Sequence, residues 1–195
     1  MHPPDRSAIT GVVLCGGRGS RMGGLDKGLI EFEGQTLAER AIARLSPQVG
    51  NVLVNANRHL DRYRGFGVPI VTDANPSFDG PLAGICAAWQ ACSTEWLACV
   101  PCDVPFFPLD LIDRLCTGIA RHDTALVAMA SNAGRLHPVL ALMHRDTAPT
   151  LDAYLASGGR RASGWLDAAH VQIVDLQVAD DALRNLNTPD DLQAG

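Results

Sequence analysis

The clearest candidate for chemistry is the segment 14–27, which reads Leu-Cys-Gly-Gly-Arg-Gly-Ser-Arg-Met-Gly-Gly-Leu-Asp-Lys. Among the 16 lysine and arginine residues of the chain, only Lys27 is a lysine. A compact ammonium on a flexible stem contacts phosphate oxygens as a point charge, without the fork geometry of a guanidinium. The glycines before it leave backbone N–H groups free to close on an anion. The segment therefore predicts a phosphate-binding loop; the alternative is a flexible turn that contains an incidental lysine.

Apolar runs of strand length alternate along the chain with segments of helical periodicity. Such alternation is typical of an α/β protein in which a mainly parallel sheet lies between two layers of helices, a three-layer αβα sandwich. We expect one domain over 1–195, with a helix N-cap at Thr36 completed by Glu39. The predicted strands are 9–14, 52–54, 68–71, 96–100, 125–130, 139–143 and 171–174, and the predicted helices are 36–45, 82–92, 109–121, 147–155 and 161–168.

Ligands of parallel α/β sheets bind at the carboxyl ends of the strands. The first predicted strand runs into the glycine-rich loop, and the next three are followed by Asn55, Asp73 and Asp103. Each of these side chains has an ordinary structural alternative: Asn55 as a turn former, Asp73 as a cap, and Asp103 in an Asx-turn. Their joint placement at one edge of the sheet favours a common site.

The loop departs from two familiar phosphate-binding fingerprints. A GxGxxG pattern that starts at Gly17 would need a glycine where the chain has Met22, and its second strand would end in an acidic residue rather than Asn55. A Walker A loop would place a glycine before Lys27 and a hydroxyl residue after it, which is not the case here. Nicotinamide-dependent dehydrogenases and P-loop NTPases are therefore disfavoured.

The sequence that follows the first strand resembles the signature of nucleotidyltransferases that act on nucleoside triphosphates. The closer resemblance is to molybdenum cofactor guanylyltransferases, the MobA family, and it extends over nearly the whole chain. Cys15 departs from the alanine that is usual in the family, but both side chains are small. The tail after Arg161 is short and departs more widely. The resemblance rests on segments 9–17, 21–28, 54–58, 80–84, 101–105, 137–138, 160–161 and 185–189.

This resemblance implies transfer of GMP from GTP to the terminal phosphate of molybdenum-bound molybdopterin, with release of pyrophosphate. Asp103 would hold Mg²⁺, with Mn²⁺ as an alternative ion, because a hard cation is held by one or two carboxylates together with phosphate oxygens. Lys27 and Arg21 would neutralise the phosphates and complete the catalytic set. The expected GTP-binding residues are Leu14, Cys15, Gly16, Gly17, Lys27, Asn55, Asp73, Gly84 and Asp103.

On the acceptor side, the resemblance implies a molybdopterin-binding part over roughly 106–195, after a GTP-binding part over roughly 1–105. A solvated arginine pair and a histidine at the edge of the core are the structural alternatives for three of the acceptor residues. Asn187 is either a second metal ligand or the cap of a following helix. The expected acceptor-binding residues are His137, Arg160, Arg161, Asn185 and Asn187.

Composition narrows the partners and the compartment. A net charge of −5 argues against a broad nucleic-acid surface. No apolar run approaches the ~20 residues that cross a bilayer, and the first residues lack the apolar core of a signal peptide. We therefore expect a cytoplasmic protein without membrane contact and with reduced cysteines. The CxxC formed by Cys99 and Cys102 lacks a second ligand pair, which favours buried structural thiols over zinc or redox chemistry.

Two other functions remain open. One is a related nucleotidyltransferase that uses CTP on molybdopterin or GTP on a cobinamide phosphate. The other is a GTP-binding module that delivers cofactor without chemistry, although Lys27 and Asp103 argue against it. Beyond the two substrates, the partners to expect are molybdenum-insertion proteins and apo-molybdoenzymes.

Overall fold

The computed structural model describes residues 3–15, 25–74, 80–122, 124–166, 170–179, 181–186 and 191. The strands are β1 (Ile9–Leu14), β2 (Glu31–Phe32), β3 (Gln35–Thr36), β4 (Asn51–Asn55), β5 (Ile70–Val71), β6 (Trp96–Pro101), β7 (Val127–Asn132), β8 (Arg135–His144) and β9 (Val171–Asp175). The α-helices are α1 (Leu37–Leu45), α2 (Leu60–Arg64), α3 (Pro81–Ala91), α4 (Leu111–Ala120), α5 (Ala148–Ala156) and α6 (Ala162–Leu166).

Seven of these strands form one sheet in the order β5-β4-β1-β6-β8-β7-β9. β1 is parallel to both β4 and β6, whereas β8 runs antiparallel to β6 and β7. From β1 the chain first continues to β4 on one side and later to β6 on the other. Such a reversal of strand order leaves a crevice at the carboxyl ends of the strands. The predicted mainly parallel α/β sheet is confirmed.

Helices cover both faces of the sheet, as the side chains of β1 show. Val13 packs in an apolar layer shared with α1 and α4, whereas Val12 and Leu14 pack in a layer shared with α3 and α5. All six residues of β1 are buried, as expected for a strand covered on both sides. The three-layer αβα arrangement is therefore confirmed as well.

β8 is irregular in the middle, and this irregularity shapes the crevice. Its pairing with β6 ends where Cys99 faces Ala141, and its register against β7 shifts between Met129 and Ala130. The pairing of β8 with β7 passes from His137 directly to Ala141, and Pro138 lies between these two residues. A proline cannot donate to a ladder hydrogen bond. The pairing of β6 with β8 therefore stops before the end of β6 at Pro101, and this leaves room for a cleft beside that end.

Three short elements are not predicted from the sequence. The short hairpin of β2 and β3 and the five-residue helix α2 are too short to produce a periodic apolar pattern. The N-terminus of α1 agrees with the predicted cap. The Glu39 N–H donates to Thr36 Oγ1 over 3.2 Å, and Glu39 Oε2 accepts from the Thr36 N–H over 2.9 Å. No helix in the described ranges has the length and apolar character needed to span a membrane.

Candidate active site

A cleft of about 310 Å³ lies at the carboxyl ends of β1, β4 and β6. The predicted site residues Gly16, Gly17, Arg21 and Asn187 lie outside the described residues, so their placement stays a prediction. The described lining of the cleft consists of Leu14, Cys15, Lys27, Asn55, Gly80, Pro81, Pro101, Cys102, Asp103, Val139 and Asn185.

Lys27 and Asp103, which are 76 residues apart in sequence, form an ion pair in this cleft. The Lys27 Nζ lies 3.1 Å from Asp103 Oδ2, and the two side chains are 26% and 16% exposed. Asn185 Nδ2 donates to the other carboxylate oxygen over 3.2 Å. The Leu186 N–H donates to the Asp103 carbonyl over 2.7 Å. Asp103 is therefore fixed by its backbone and by both oxygens of its carboxylate.

The donor set around Asp103 fits a magnesium ion that is shared with a substrate. Among the described residues, no group of three or more His, Cys, Asp or Glu side chains could hold a metal without further ligands. Mg²⁺ in nucleotide sites is commonly held by one or two carboxylates and by substrate phosphates. Asp103 supplies such a carboxylate at the base of an open cleft, so the residues fit an ion that enters together with phosphate oxygens.

Asp73 is held at the end of β4 by two asparagines. Asn55 Nδ2 donates to Asp73 Oδ1 over 2.8 Å, and Asn57 Nδ2 donates to Oδ2 over 2.8 Å. The backbone N–H of Asp73 donates in return to Asn57 Oδ1 over 2.8 Å. The structure thus brings the predicted residues Asn55 and Asp73 together. The sequence does not single out Asn57, although its alternation with Asn55 is the signal that could have found it.

Gly84 lets helix α3 pass close to Asn55. A Cβ at this position would collide with Asn55 Oδ1 and would lie 3.0 Å from Leu14 Cδ2. Leu14 and Asn55 are both part of the cleft lining. Gly84 is therefore required by the shape of the cleft wall, and this gives a physical reason for its place among the predicted site residues.

Directly before Lys27, a buried carboxylate is bonded to helix α2. Tyr63 Oη donates to Asp26 Oδ1 over 2.6 Å, and His59 Nδ1 lies 3.1 Å from Asp26 Oδ2. A Cβ on Gly28 would collide with Tyr63 Oη. None of these contacts is predicted from the sequence, because α2 itself is not.

The described lining of the main cleft does not include His137. This residue is buried in β8 and lines a smaller cleft of about 200 Å³ with Asn132, Ala133, Arg135 and Leu183. Burial, and then the charge of Arg135, lower the pKa of the His137 imidazole and so favour its neutral form. His137 thus lines a different cleft from the one that Lys27 and Asp103 line.

The other residues predicted to bind the acceptor differ in how they relate to the cleft. Asn185 lines it and contacts Asp103. The Arg160 carbonyl lies 3.6 Å from the position of a Cβ on Gly80, at the cleft wall. The Arg160 guanidinium donates to the Leu155 and Gly159 carbonyls, and Arg161 is exposed.

The cysteines of the CxxC are free thiols and are buried. Burial raises the pKa of Cys99 well above its ordinary value. A hydrogen bond with Cys15, together with burial, raises the pKa of Cys102. Protonated, buried thiols are poor nucleophiles and poor metal ligands. The expectation of structural cysteines agrees with this placement.

Two solved structures share the fold of this chain. A molybdopterin-guanine dinucleotide biosynthesis protein A from Archaeoglobus fulgidus has the same fold, with a TM-score of 0.78 and 22% identity over 95% of each chain. A nucleotidyl transferase from Methanothermobacter thermautotroptrophicus aligns with a TM-score of 0.74 and 22% identity over 95% of this chain and 94% of its own.

The chain belongs to the family of the MobA-like NTP transferase domain, which matches residues 11–172. A molybdenum cofactor guanylyltransferase from Bordetella petrii is 49% identical over 164 residues, which cover 83% of this chain and 84% of the relative. A protein of the same name from Serratia proteamaculans is 46% identical over 94% of this chain and 91% of its own. The resemblance identified in the sequence is therefore confirmed.

Proposed function

We propose that the protein is a molybdenum cofactor guanylyltransferase, which transfers GMP from GTP to the terminal phosphate of molybdenum-bound molybdopterin. The observation that carries this proposal is the Lys27–Asp103 pair in the cleft at the carboxyl ends of β1 and β6. It lies in a chain whose relatives with this name are 43–49% identical to it. The products are molybdopterin guanine dinucleotide and pyrophosphate.

In this reaction an oxygen of the acceptor phosphate forms a bond to the α-phosphorus of GTP. The bond from that phosphorus to the oxygen bridging to the β-phosphate breaks, and pyrophosphate leaves with the electron pair. The attack brings two anionic groups together, so catalysis consists mainly of positioning and charge neutralisation. Lys27 and Arg21 neutralise the phosphates, alongside the N–H groups of Gly16 and Gly17.

Asp103 is the residue that would hold Mg²⁺, or Mn²⁺ in its place. When bound, such an ion supplies charge neutralisation and polarisation of the phosphate oxygens. The 3.1 Å separation of Asp103 from Lys27 means that a cation ligand and a phosphate-binding ammonium are side by side. Asn185 orients the carboxylate by its hydrogen bond of 3.2 Å.

The two halves of the chain would divide the substrates between them. The part over roughly 1–105 binds GTP, with Leu14, Asn55 and Asp73 toward the base or the ribose. The part over roughly 106–195 binds molybdopterin, and the candidates there remain His137, Arg160, Arg161, Asn185 and Asn187. We place the reaction in the cytoplasm, with molybdenum-insertion proteins and apo-molybdoenzymes as further partners.

A pyrophosphate-release assay tests the function. The purified protein is incubated with Mg²⁺, one nucleoside triphosphate, and either molybdenum-loaded molybdopterin or cobinamide phosphate. We expect release of pyrophosphate with GTP and loaded molybdopterin, in step with formation of the guanine dinucleotide. Release with CTP, or with cobinamide phosphate as the acceptor, would instead indicate a related transferase. GTP binding without release would indicate a delivery module.

A further inference from the structure

The carboxylate of Asp26, next to Lys27, is buried although it does not line the cleft described above. Asp26 is 8% exposed, and Tyr63, with which it forms a hydrogen bond of 2.6 Å, is fully buried. Burial above all, followed by the neighbouring Cys15 and the hydrogen bond to Asp26, raises the pKa of Tyr63 far above its ordinary value, so its hydroxyl stays a donor. His59 Nδ1, on a half-exposed ring, lies 3.1 Å from the second carboxylate oxygen.

The position of Lys27 is restrained on both sides by this contact with α2. On one side, Asp26 is bonded to Tyr63; on the other, Gly28 packs so closely against Tyr63 Oη that any side chain would collide with it. Between them, the backbone forms a 3₁₀ turn in which the Leu29 N–H donates to the Asp26 carbonyl over 3.0 Å. A lysine has four flexible side-chain bonds, so the direction in which it leaves the backbone has to be set by such contacts.

We propose that Asp26 and Tyr63 are positioning residues that fix the turn carrying Lys27, so that its ammonium meets Asp103 and the phosphates of GTP. The inference rests on the proposed function, in which Lys27 binds these phosphates. Neither residue belongs to the described lining of the cleft, so each acts through Lys27 and not by touching substrate. A small misplacement of a catalytic group is enough to lower a rate substantially.

The competing explanation is that the bond between Tyr63 and Asp26 only stabilises the fold. A double-mutant cycle separates the two explanations, because the effects of substitutions at two residues are not additive when one residue acts through the other. Tyr63→Phe removes the hydroxyl and keeps the buried ring, and it is combined with Lys27→Ala. GTP affinity is measured by titration calorimetry, pyrophosphate release by the assay above, and unfolding by thermal melts.

In the wild-type background, we expect Tyr63→Phe to weaken GTP affinity clearly more than 2-fold and to lower kcat/KM for GTP roughly 10- to 100-fold. In the Lys27→Ala background, the same change should alter GTP affinity less than about 2-fold. Asp26→Asn keeps a carbonyl that can accept from Tyr63, so it should retain more activity than Asp26→Ala.

Phe66→Leu is the matched control. Phe66 packs edge-on against the Tyr63 ring, with centroids 5.6 Å apart, but has no contact with the Asp26 carboxylate among its described interactions. It should lower the melting temperature without changing GTP affinity. Equal effects of Tyr63→Phe and Phe66→Leu on GTP affinity, or an equal effect of Tyr63→Phe with and without Lys27, would overturn the inference. Loss of pyrophosphate release in the wild type would refute the proposed function instead, and the cycle on GTP affinity would still decide this inference.

Discussion

Lys27 Nζ lies 3.1 Å from Asp103 Oδ2, and a phosphate oxygen can take the place of this carboxylate oxygen when GTP binds. We predict that Lys27→Ala removes a charge-assisted contact worth about 1.5–3 kcal/mol in GTP binding. Turnover should fall further, because negative charge develops in the transition state. Lys27→Arg should rescue only part of the turnover, since a planar head does not reproduce the point contact. We expect steady-state kinetics to show the highest turnover for the wild type, a lower one for Lys27→Arg and the lowest for Lys27→Ala.

The matched control for this change is Arg64→Ala, which removes one positive charge from the exposed pair that Arg64 forms with Asp61. This control should leave GTP affinity unchanged, since exposed pairs contribute little. If Lys27→Ala has the turnover of the wild type, the lysine takes no part in phosphate binding.

Asp103 offers a second test at the scale of one residue. Asp103→Asn keeps the size of the side chain but removes the charge that a divalent ion needs. We predict loss of turnover at all Mg²⁺ concentrations, while GTP still binds through the loop and the Asn55 end of the cleft. Asp113→Asn is the control, because its carboxylate lies on the surface and accepts from Arg6. An unchanged Mg²⁺ titration curve for Asp103→Asn would remove this residue from the metal site.

Among the elements, helix α3 shapes the cleft through the absence of a side chain at Gly84. We predict that Gly84→Ala pushes Asn55 out of place and weakens GTP binding at least several-fold, because the added methyl group collides with the amide oxygen. Gly118→Ala is a matched control: its methyl group would collide with Val174, where α4 packs on β9. Both variants should melt at lower temperatures, but only Gly84→Ala should lose GTP affinity in calorimetry.

The elements also show what the sequence can predict. Strands such as β1 and β6 are apolar runs that are buried on both faces, so their positions follow from the pattern of apolar residues along the sequence. The carboxyl-end rule then places Asn55, Asp73 and Asp103 along one edge. Helix α2 has five residues and follows His59 in a left-handed conformation, and no local pattern predicts it. The contact of Tyr63 with Asp26 therefore depends on tertiary packing and cannot be predicted from the sequence. The same holds for the hydrogen bonds between Asn57 and Asp73.

At the scale of the whole molecule, the sheet joins two halves of the chain at the boundary between β6 and β8. β5, β4, β1 and β6 come from the first half, and β8, β7 and β9 come from the second. The second half also returns to the first, since Asn185 and Leu186 both donate to Asp103. The residue that would hold the metal is thus fixed by both halves. This arrangement suits the proposed reaction, in which each half would bind one of the two substrates.

Binding of the correct nucleotide should stabilise this whole structure against heat, because a ligand that binds only the folded state adds its binding free energy to stability. At 100 times its dissociation constant, a ligand contributes about 2.7 kcal/mol, which raises the melting temperature of a chain of this size by roughly 5–10 °C. We predict that GTP gives such a shift with Mg²⁺ and that ATP and CTP at equal concentration give much smaller ones. The reason is that a site built to pair with the edge of guanine leaves buried polar groups unpaired when it holds another base. Pyrophosphate alone is the control, since it reports the contribution of the phosphate contacts. Equal shifts for GTP, ATP and CTP would show that the cleft reads only phosphates and would leave the choice of guanine unexplained.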